Sequence, residues 1–221
     1  LDELLGRDLK VMLLYGGVSI KKNGVYDMVL ASLGRRKVIE FGGIEPNPRF
    51  ETCMEAVQLA RAEKVDFLLA VGGGSVLDGT KFIAAAIECT DRDPWEILTS
   101  GGSVVRSAVP LGDVLTLPAT GSEMNFFSVI SREQTQEKLA FGNPCVYPRF
   151  SILDPETTYT LPRKQVRNGI VDAFAHVMEQ YATYDIHTPL QDRQAEAIVL
   201  TLVEEADAIL GEPPRYEPRA A

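Results

Sequence analysis

The first part of the chain alternates between short apolar runs and segments whose apolar residues have helical spacing. The apolar runs lie at residues 8–15, 37–41 and 65–71, and the helical patterns that follow them lie at 20–33, 49–63 and 75–88. Strands that alternate with helices in this way form a parallel sheet with helices on both faces. The pattern therefore predicts an α/β fold for this part of the chain.

Further short elements are predicted between residues 93 and 155. A short helix starts at residues 93–98, and a buried strand covers 114–118. Weaker patterns at 128–131 and 138–141 indicate a small hairpin, and 150–155 reads as a last strand.

From Arg163 onward only helical patterns remain, at 163–183 and at 190–210. We therefore place a domain boundary near residue 160, with an α/β domain at 1–160 and a helical domain at 161–221. The chain lacks an initial Met, and a Pro-rich turn near its end is of the kind that introduces another helix. We expect the helical part to be the first portion of a larger domain.

Composition excludes several classes of function. The net charge is −9 without any Lys/Arg-rich run, so nucleic acid is not expected as a partner. No apolar run approaches 18 residues, so no membrane contact is expected. Cys53, Cys89 and Cys145 lie far apart without a CxxC motif, which indicates reduced, buried thiols in a cytoplasmic protein.

The turn at residues 72–75, Gly-Gly-Gly-Ser, follows an apolar strand and opens a helix. Glycines allow the backbone to approach a ligand closely, and the free amides of a helix start favour an anion such as a pyrophosphate. Ser75 is predicted as the N-cap, with Asp78 completing a capping box. The alternative is a tight turn with an ordinary cap.

Glycine- or threonine-bearing turns follow three of the strands, at residues 16–19, 72–75 and 118–122. Ligands of open parallel sheets bind beyond the carboxyl ends of the strands, where these turns converge. The spacing predicts a nucleotide site, although it does not match the GxGxxG fingerprint.

Asp172 and His176 lie four residues apart on the first helix of the later domain. Side chains at this spacing share one helix face, and a carboxylate with an imidazole can hold a divalent metal. The alternative is an ordinary helix pair, since a metal site needs about four ligands. His187 lies in a polar turn and is expected at the surface.

Four motifs together carry a family resemblance. The chain resembles the iron-containing (group III) alcohol dehydrogenases, in particular the butanol dehydrogenase and NADPH-dependent aldehyde reductase branch. The resemblance implies a Rossmann-like dinucleotide-binding domain, an all-helical domain and an active site between them. The motifs lie in the order of the family at residues 41–48 (FGGIEPNP), 70–78 (AVGGGSVLD), 116–123 (TLPATGSE) and 168–176 (NGIVDAFAH).

The resemblance also implies roles for individual residues. The metal, Fe(II) or Zn(II), is held at Asp172 and His176, with two further histidines from helices beyond residue 221. The cofactor pyrophosphate lies on the glycine turn and near the residues that match the family's cofactor site, which are Gly73, Gly74, Ser75, Asp78, Thr116, Thr120 and Lys138.

The choice of cofactor is predicted from the turn after the first strand. Family members that prefer NAD carry an acidic residue where this chain has Gly17, and such an acid repels the 2′-phosphate of NADP. Ser19 can donate a hydrogen bond, and Lys22, beside Lys21, can pair with the phosphate. We therefore predict NADP(H) rather than NAD(H). The alternative is that both lysines are solvated surface residues.

The resemblance implies reversible hydride transfer between NADP(H) and an aldehyde or primary alcohol of the butanal/butanol type, in a cytoplasmic homodimer. A glycerol-dehydrogenase-like or dehydroquinate-synthase-like enzyme on the same architecture is one alternative, because fold does not fix function. A nucleotide-binding fragment with an incomplete catalytic site is another.

Overall fold

A computed structural model describes residues 1–184 and 186–220. They form two compact units. The first contains residues 1–116 and 121–153, and the second contains residues 117–120 and the chain from Asp154 onward. Each unit is described by itself.

The elements of the first unit follow each other closely along the chain. Its helices are α1 (Ser19–Lys22), α2 (Val25–Leu33), α3 (Phe50–Glu63), α4 (Gly74–Glu88) and α5 (Glu96–Thr99). Its strands are β1 (Lys10–Tyr15), β2 (Lys37–Gly42), β3 (Phe67–Gly73), β4 (Leu111–Leu117), β5 (Phe127–Arg132), β6 (Glu137–Gly142) and β7 (Ser151–Leu153).

Five strands form a parallel sheet in the order β2-β1-β3-β4-β7. In the register of this sheet Val11 of β1 lies between Val38 of β2 and Phe67 of β3. At the other edge of the sheet, β4 pairs with β7 and Val114 lies opposite Ile152. The predicted α/β fold with a parallel sheet is confirmed.

The buried positions of β1 and β3 are apolar because both faces of the sheet are covered. Met12 and Leu14 of β1 belong to the apolar cluster that includes residues of α3 and α4. Val11 and Leu13 belong to the opposite cluster, which includes residues of α1 and α2. All four side chains are 0% exposed.

The predicted hairpin is also confirmed, because β5 and β6 pair in antiparallel fashion with Val129 opposite Ala140. The Ser131 amide donates a hydrogen bond to the Pro48 carbonyl, at 2.9 Å. The hairpin is therefore fixed to the loop that precedes α3.

The helix predicted at residues 20–33 is wrong as a single element. The chain forms α1 and α2 instead, because Gly24 has φ 84°, in the left-handed region. The side-chain oxygen of Asn23 accepts a hydrogen bond from the Val25 amide at 3.2 Å. This turn ends α1 at Lys22 and lets α2 begin at Val25.

In the second unit, α6 (Arg163–Tyr181) packs against α7 (Pro189–Ile209), and α8 (Tyr216–Ala220) follows. Both long helices lie where the apolar spacing predicts them, and His187 is exposed as predicted. Within the described residues, no helix combines the length and apolarity that crossing a membrane requires.

The cysteines differ from the prediction that all three are buried. Cys53 is buried, Cys89 is half-buried and Cys145 is exposed. The Cys145 thiol faces the Arg106 carbonyl, with 3.7 Å from sulfur to oxygen. All three thiols are free in the structure.

Candidate functional site

The strand β3 runs directly into helix α4 at the glycine turn. Gly73 is the N-cap, with φ −90° and ψ −172°, and no side chain caps the helix start. The first turn of α4 also contains no acidic residue. The first-turn amides and the positive end of the helix dipole are therefore available to an anion.

Ser75 is the second residue of α4, so the prediction that it is the N-cap is wrong. Its hydroxyl instead accepts a hydrogen bond from the Asn47 amide, with 3.3 Å between nitrogen and oxygen. Strand β3 and helix α4 join with no intervening loop, which places Ser75 inside the helix.

Asp78 does not form the predicted capping box. One carboxylate oxygen accepts a hydrogen bond from the Ser122 hydroxyl at 2.7 Å, and the other accepts one from the Val129 amide at 3.0 Å. Burial raises the pKa of this carboxyl, and the hydrogen bond from Ser122 opposes the rise. Asp78 thus ties the segment before the hairpin to α4.

Lys81 completes this attachment, although it is not among the site residues predicted from the sequence. Its ammonium donates hydrogen bonds to the Ser122 carbonyl, the Asn125 side-chain oxygen and the Phe127 carbonyl, at 2.6, 3.0 and 2.8 Å. The residue is 0% exposed. Burial lowers the pKa of the Lys81 ammonium to about 8, and the carboxylate of Asp78 opposes this effect. The run of apolar residues that follows Lys81 was the available signal that this face of α4 is buried.

Asn47 joins Ser75 to Lys138. It has φ 57° within the proline-rich loop, and its side-chain oxygen accepts a hydrogen bond from the Lys138 ammonium at 2.8 Å. A cavity of about 460 Å³ opens beside it, with Arg49 and Arg132 among its lining residues. Two predicted cofactor residues, Ser75 and Lys138, are therefore brought together through a residue that was not predicted.

The turn after β1 holds the residues predicted to select the cofactor. Gly17 is exposed, and a Cβ built there meets no atom within 4 Å. Ser19 is the first residue of α1, and Lys22, its last residue, is exposed. Lys21 differs from Lys22, because its ammonium is paired with Glu40 at 3.4 Å.

The two predicted threonines fall in different units. Thr116 is 8% exposed in β4 of the first unit. Thr120 is exposed and belongs to the segment 117–120 of the second unit. Their common role in binding the cofactor stays a prediction.

Asp172 and His176 share one face of α6. A distance of 3.8 Å separates Oδ2 of Asp172 from Nε2 of His176, and their side chains are 46% and 50% exposed. An oxygen and a nitrogen donor this close, and open to one side, fit two positions of an iron or zinc site. Among the residues that the structure describes, no group of three or more His, Cys, Asp or Glu residues adds to them.

Comparison with known proteins identifies the family of this chain. The profile of the iron-containing alcohol dehydrogenases matches residues 1–155. The chain belongs to this family. We therefore interpret the glycine turn and the Asp172–His176 pair as parts of an iron-containing alcohol dehydrogenase.

Relatives of this family member are named for different cofactors. The NADPH-dependent aldehyde reductase YqhD of Escherichia coli is 57% identical over 221 residues, which is 100% of this chain and 57% of that protein. The probable NADH-dependent butanol dehydrogenase 1 of Bacillus subtilis is 46% identical over 99% of this chain and 56% of that protein. The chain thus spans little more than half the length of these relatives.

Solved structures agree with this assignment. A crystal structure of Escherichia coli YqhD superposes with a TM-score of 0.96 at 56% identity, over 99% of this chain and 56% of that one. The NADH-dependent butanol dehydrogenase A of Thermotoga maritima gives a TM-score of 0.90 at 40% identity, over 96% of this chain and 53% of that one.

Proposed function

We propose that this iron-containing alcohol dehydrogenase reversibly transfers a hydride between NADP(H) and an aldehyde or primary alcohol. The observation that carries the proposal is the uncapped start of α4 directly after β3. The amides of its first turn bind the cofactor pyrophosphate, with Gly73, Gly74 and Ser75 forming the turn on which it lies.

Other side chains of the first unit fix the rest of the cofactor. Lys138 is held by Asn47 beside Ser75, so its ammonium is in position to meet a cofactor hydroxyl or phosphate oxygen. Asp78 acts through Ser122 and Val129 by fixing the segment that precedes the hairpin. Thr116 lines the cofactor, as the family resemblance implies, while the same role for Thr120, which belongs to the second unit, stays a prediction.

Asp172 and His176 hold a divalent metal, Fe(II) or Zn(II), with ligands from outside the described residues. The bound metal supplies Lewis-acid chemistry, polarising the aldehyde carbonyl and stabilising the alkoxide. The pair lies half-exposed on one face of α6, so its oxygen and nitrogen donors would be accessible to a metal ion. The partly buried Asp172 carboxylate anchors the metal charge beside the imidazole.

The preference for NADP(H) over NAD(H) rests on Gly17. The open space at this position leaves room for a 2′-phosphate, and an acidic side chain that would repel it is missing there. Ser19 and the exposed Lys22 are the donors that meet the phosphate. The name of the Escherichia coli relative, an NADPH-dependent enzyme, supports this choice.

A homodimer in the cytoplasm is also part of the proposal. The homodimer rests on the family resemblance, and the cytoplasmic location rests on the free thiols at Cys53, Cys89 and Cys145.

The test is Asp172→Ala in the full-length protein, assayed for NADPH-dependent reduction of butanal and for NADPH binding by fluorescence. We expect turnover to be abolished and NADPH affinity to stay unchanged, because Asp172 binds the metal and not the nucleotide. Asp207→Ala on α7, also an exposed helical aspartate, is the matched control and keeps full turnover. Retained butanal reduction in Asp172→Ala would refute the metal role.

A further inference from the structure

The strand β2 carries Glu40 near its carboxyl end, next to the strand that precedes Gly17. In dinucleotide-binding sheets, an acidic residue in this region of the second strand accepts hydrogen bonds from the ribose 2′-hydroxyl of NAD. A free carboxylate there opposes a 2′-phosphate. Glu40 therefore conflicts with NADP binding unless its charge is neutralised.

Three donors occupy the carboxylate of Glu40. One oxygen accepts a hydrogen bond from the Tyr26 hydroxyl at 2.6 Å. The other lies 3.2 Å from the Tyr15 hydroxyl and 3.4 Å from the Lys21 ammonium. We name the cluster of Glu40, Tyr15, Lys21 and Tyr26 the Glu40 clamp.

The clamp holds its lysine from two sides. The Lys21 ammonium lies 5.0 Å from the ring centroid of Tyr15 and 4.5 Å from that of Tyr26. The hydrogen bond from Tyr26, and then the ion pair with Lys21, keep the pKa of Glu40 below its usual range. Glu40 is thus a carboxylate whose charge is balanced by a lysine fixed between two rings.

The clamp is also close in sequence to the predicted phosphate donors. Lys21 lies on α1 between Ser19 and Lys22, so its pairing with Glu40 fixes this short helix against β2. The Glu40 and Lys21 side chains are 39% and 41% exposed, and a bound nucleotide would sense their charges. Because Lys21 is paired with Glu40, Lys22 is the lysine of α1 that can pair with the 2′-phosphate.

We propose that Glu40 is a specificity-determining residue for the cofactor, and that Lys21, Tyr15 and Tyr26 neutralise it so that the 2′-phosphate of NADPH is accepted beside Gly17. This inference rests on the proposed function. With the clamp intact, the carboxylate neither repels the phosphate nor accepts the 2′-hydroxyl of NADH. When the clamp is opened, the Glu40 carboxylate repels the 2′-phosphate of NADPH and accepts a hydrogen bond from the 2′-hydroxyl of NADH.

The test opens the clamp with the double variant Lys21→Met/Tyr26→Phe in the full-length protein. Dissociation constants of NADPH and NADH are measured by nucleotide fluorescence, and those of 2′,5′-ADP and ADP by calorimetry. The preference for NADPH over NADH should fall by about fivefold, as one unbalanced charge at an exposed site predicts. The preference for 2′,5′-ADP over ADP should fall in parallel.

Two further variants make the result specific. Adding Glu40→Gln to the double variant removes the unbalanced charge and should restore the preference. Lys37→Met is the matched control, because Lys37 lies at the other end of β2 and pairs with Glu63 at 3.2 Å. It should leave the preference unchanged. Lys21→Met alone, which keeps both tyrosines, gives a smaller change in the same direction if the double variant folds poorly.

An unchanged ratio of NADPH to NADH affinity in the double variant would overturn the inference and leave the proposed function intact. An equal loss of affinity for both nucleotides would also overturn it, because the clamp would then be only structural. If the wild-type protein bound neither nucleotide, the proposed function would fail, and the inference with it.

Discussion

The ammonium group of Lys81 donates hydrogen bonds to both the carbonyl and the hydroxyl oxygen of Ser122, at 2.6 and 2.9 Å. The same hydroxyl donates to Asp78, so one serine joins a buried lysine to a carboxylate. Through these bonds helix α4 holds the segment between the sheet and the β5–β6 hairpin. The start of α4 and this segment therefore share one buried polar network.

The first prediction concerns the stability of this network. Lys81→Met keeps most of the side-chain volume but removes the ammonium that donates hydrogen bonds to Ser122, Asn125 and Phe127. Breaking a buried charged network by removing one partner costs about 3 kcal/mol of unfolding free energy. Urea denaturation followed by circular dichroism measures the change.

Lys37→Met serves as the control for Lys81→Met, since the Lys37 side chain is 61% exposed in an ion pair. Its effect should stay within about 0.5 kcal/mol. Equal losses of stability in the two variants would show that the network around Lys81 contributes nothing beyond a surface lysine.

The second prediction concerns Asp113, which is 2% exposed on β4 and accepts a hydrogen bond from the Ser151 hydroxyl at 2.5 Å. Burial raises its pKa from 3.8 to about 6. The folded state therefore binds a proton more tightly than the unfolded state. The stability that this group contributes is present below pH 4 and is lost as the pH rises from about 4 to about 6.

Asp113→Asn tests this directly, because the amide keeps an acceptor for Ser151 and cannot ionise. The unfolding free energy of the wild type should fall relative to that of the variant between pH 4 and 6, by roughly 1 to 3 kcal/mol. Urea titrations at several pH values give the two curves. Curves that run parallel over this range would contradict the raised pKa.

The strands β1 and β3 and their helices are predictable because strands buried on both faces are apolar runs bounded by glycine turns. Apolar spacing alone does not separate the two helices after β1, because apolar residues lie on both sides of Asn23 and Gly24. The break between them comes from the positive φ of Gly24.

The candidate site shows the same limits at individual residues. Ser75 follows three glycines and precedes Asp78 by three residues, which is the local pattern of a capping box. In the structure Gly73 is the N-cap instead, and the Asp78 carboxylate accepts a hydrogen bond from Ser122, which is distant in sequence. The roles of Lys81 and Glu40 depend on contacts with residues distant in sequence, and local spacing carries no information about them.

The third prediction concerns Gly17, where a side chain enters open space and the backbone φ is not positive. Gly17→Asp should therefore fold normally while placing a carboxylate beside the 2′-phosphate. NADPH affinity should fall by about tenfold, as about 1.4 kcal/mol of repulsion implies, with NADH affinity unchanged or higher. Gly17→Ala adds a side chain without charge and should bind NADPH as the wild type does. Unaltered NADPH binding in Gly17→Asp would remove the basis for the predicted preference.

The fourth prediction separates the two interpretations of the pair on α6. If Asp172 and His176 are metal ligands, His176→Ala should lower the affinity of the full-length protein for Fe(II) or Zn(II) by at least about tenfold, because even the loss of an outer partner has that effect. If they are only an exposed helix pair, metal content measured by mass spectrometry should not change. His187→Ala is the matched control, since His187 is likewise exposed but lies in the turn before α7. Equal metal content in the two histidine variants would assign the Asp172–His176 contact to helix stabilisation alone.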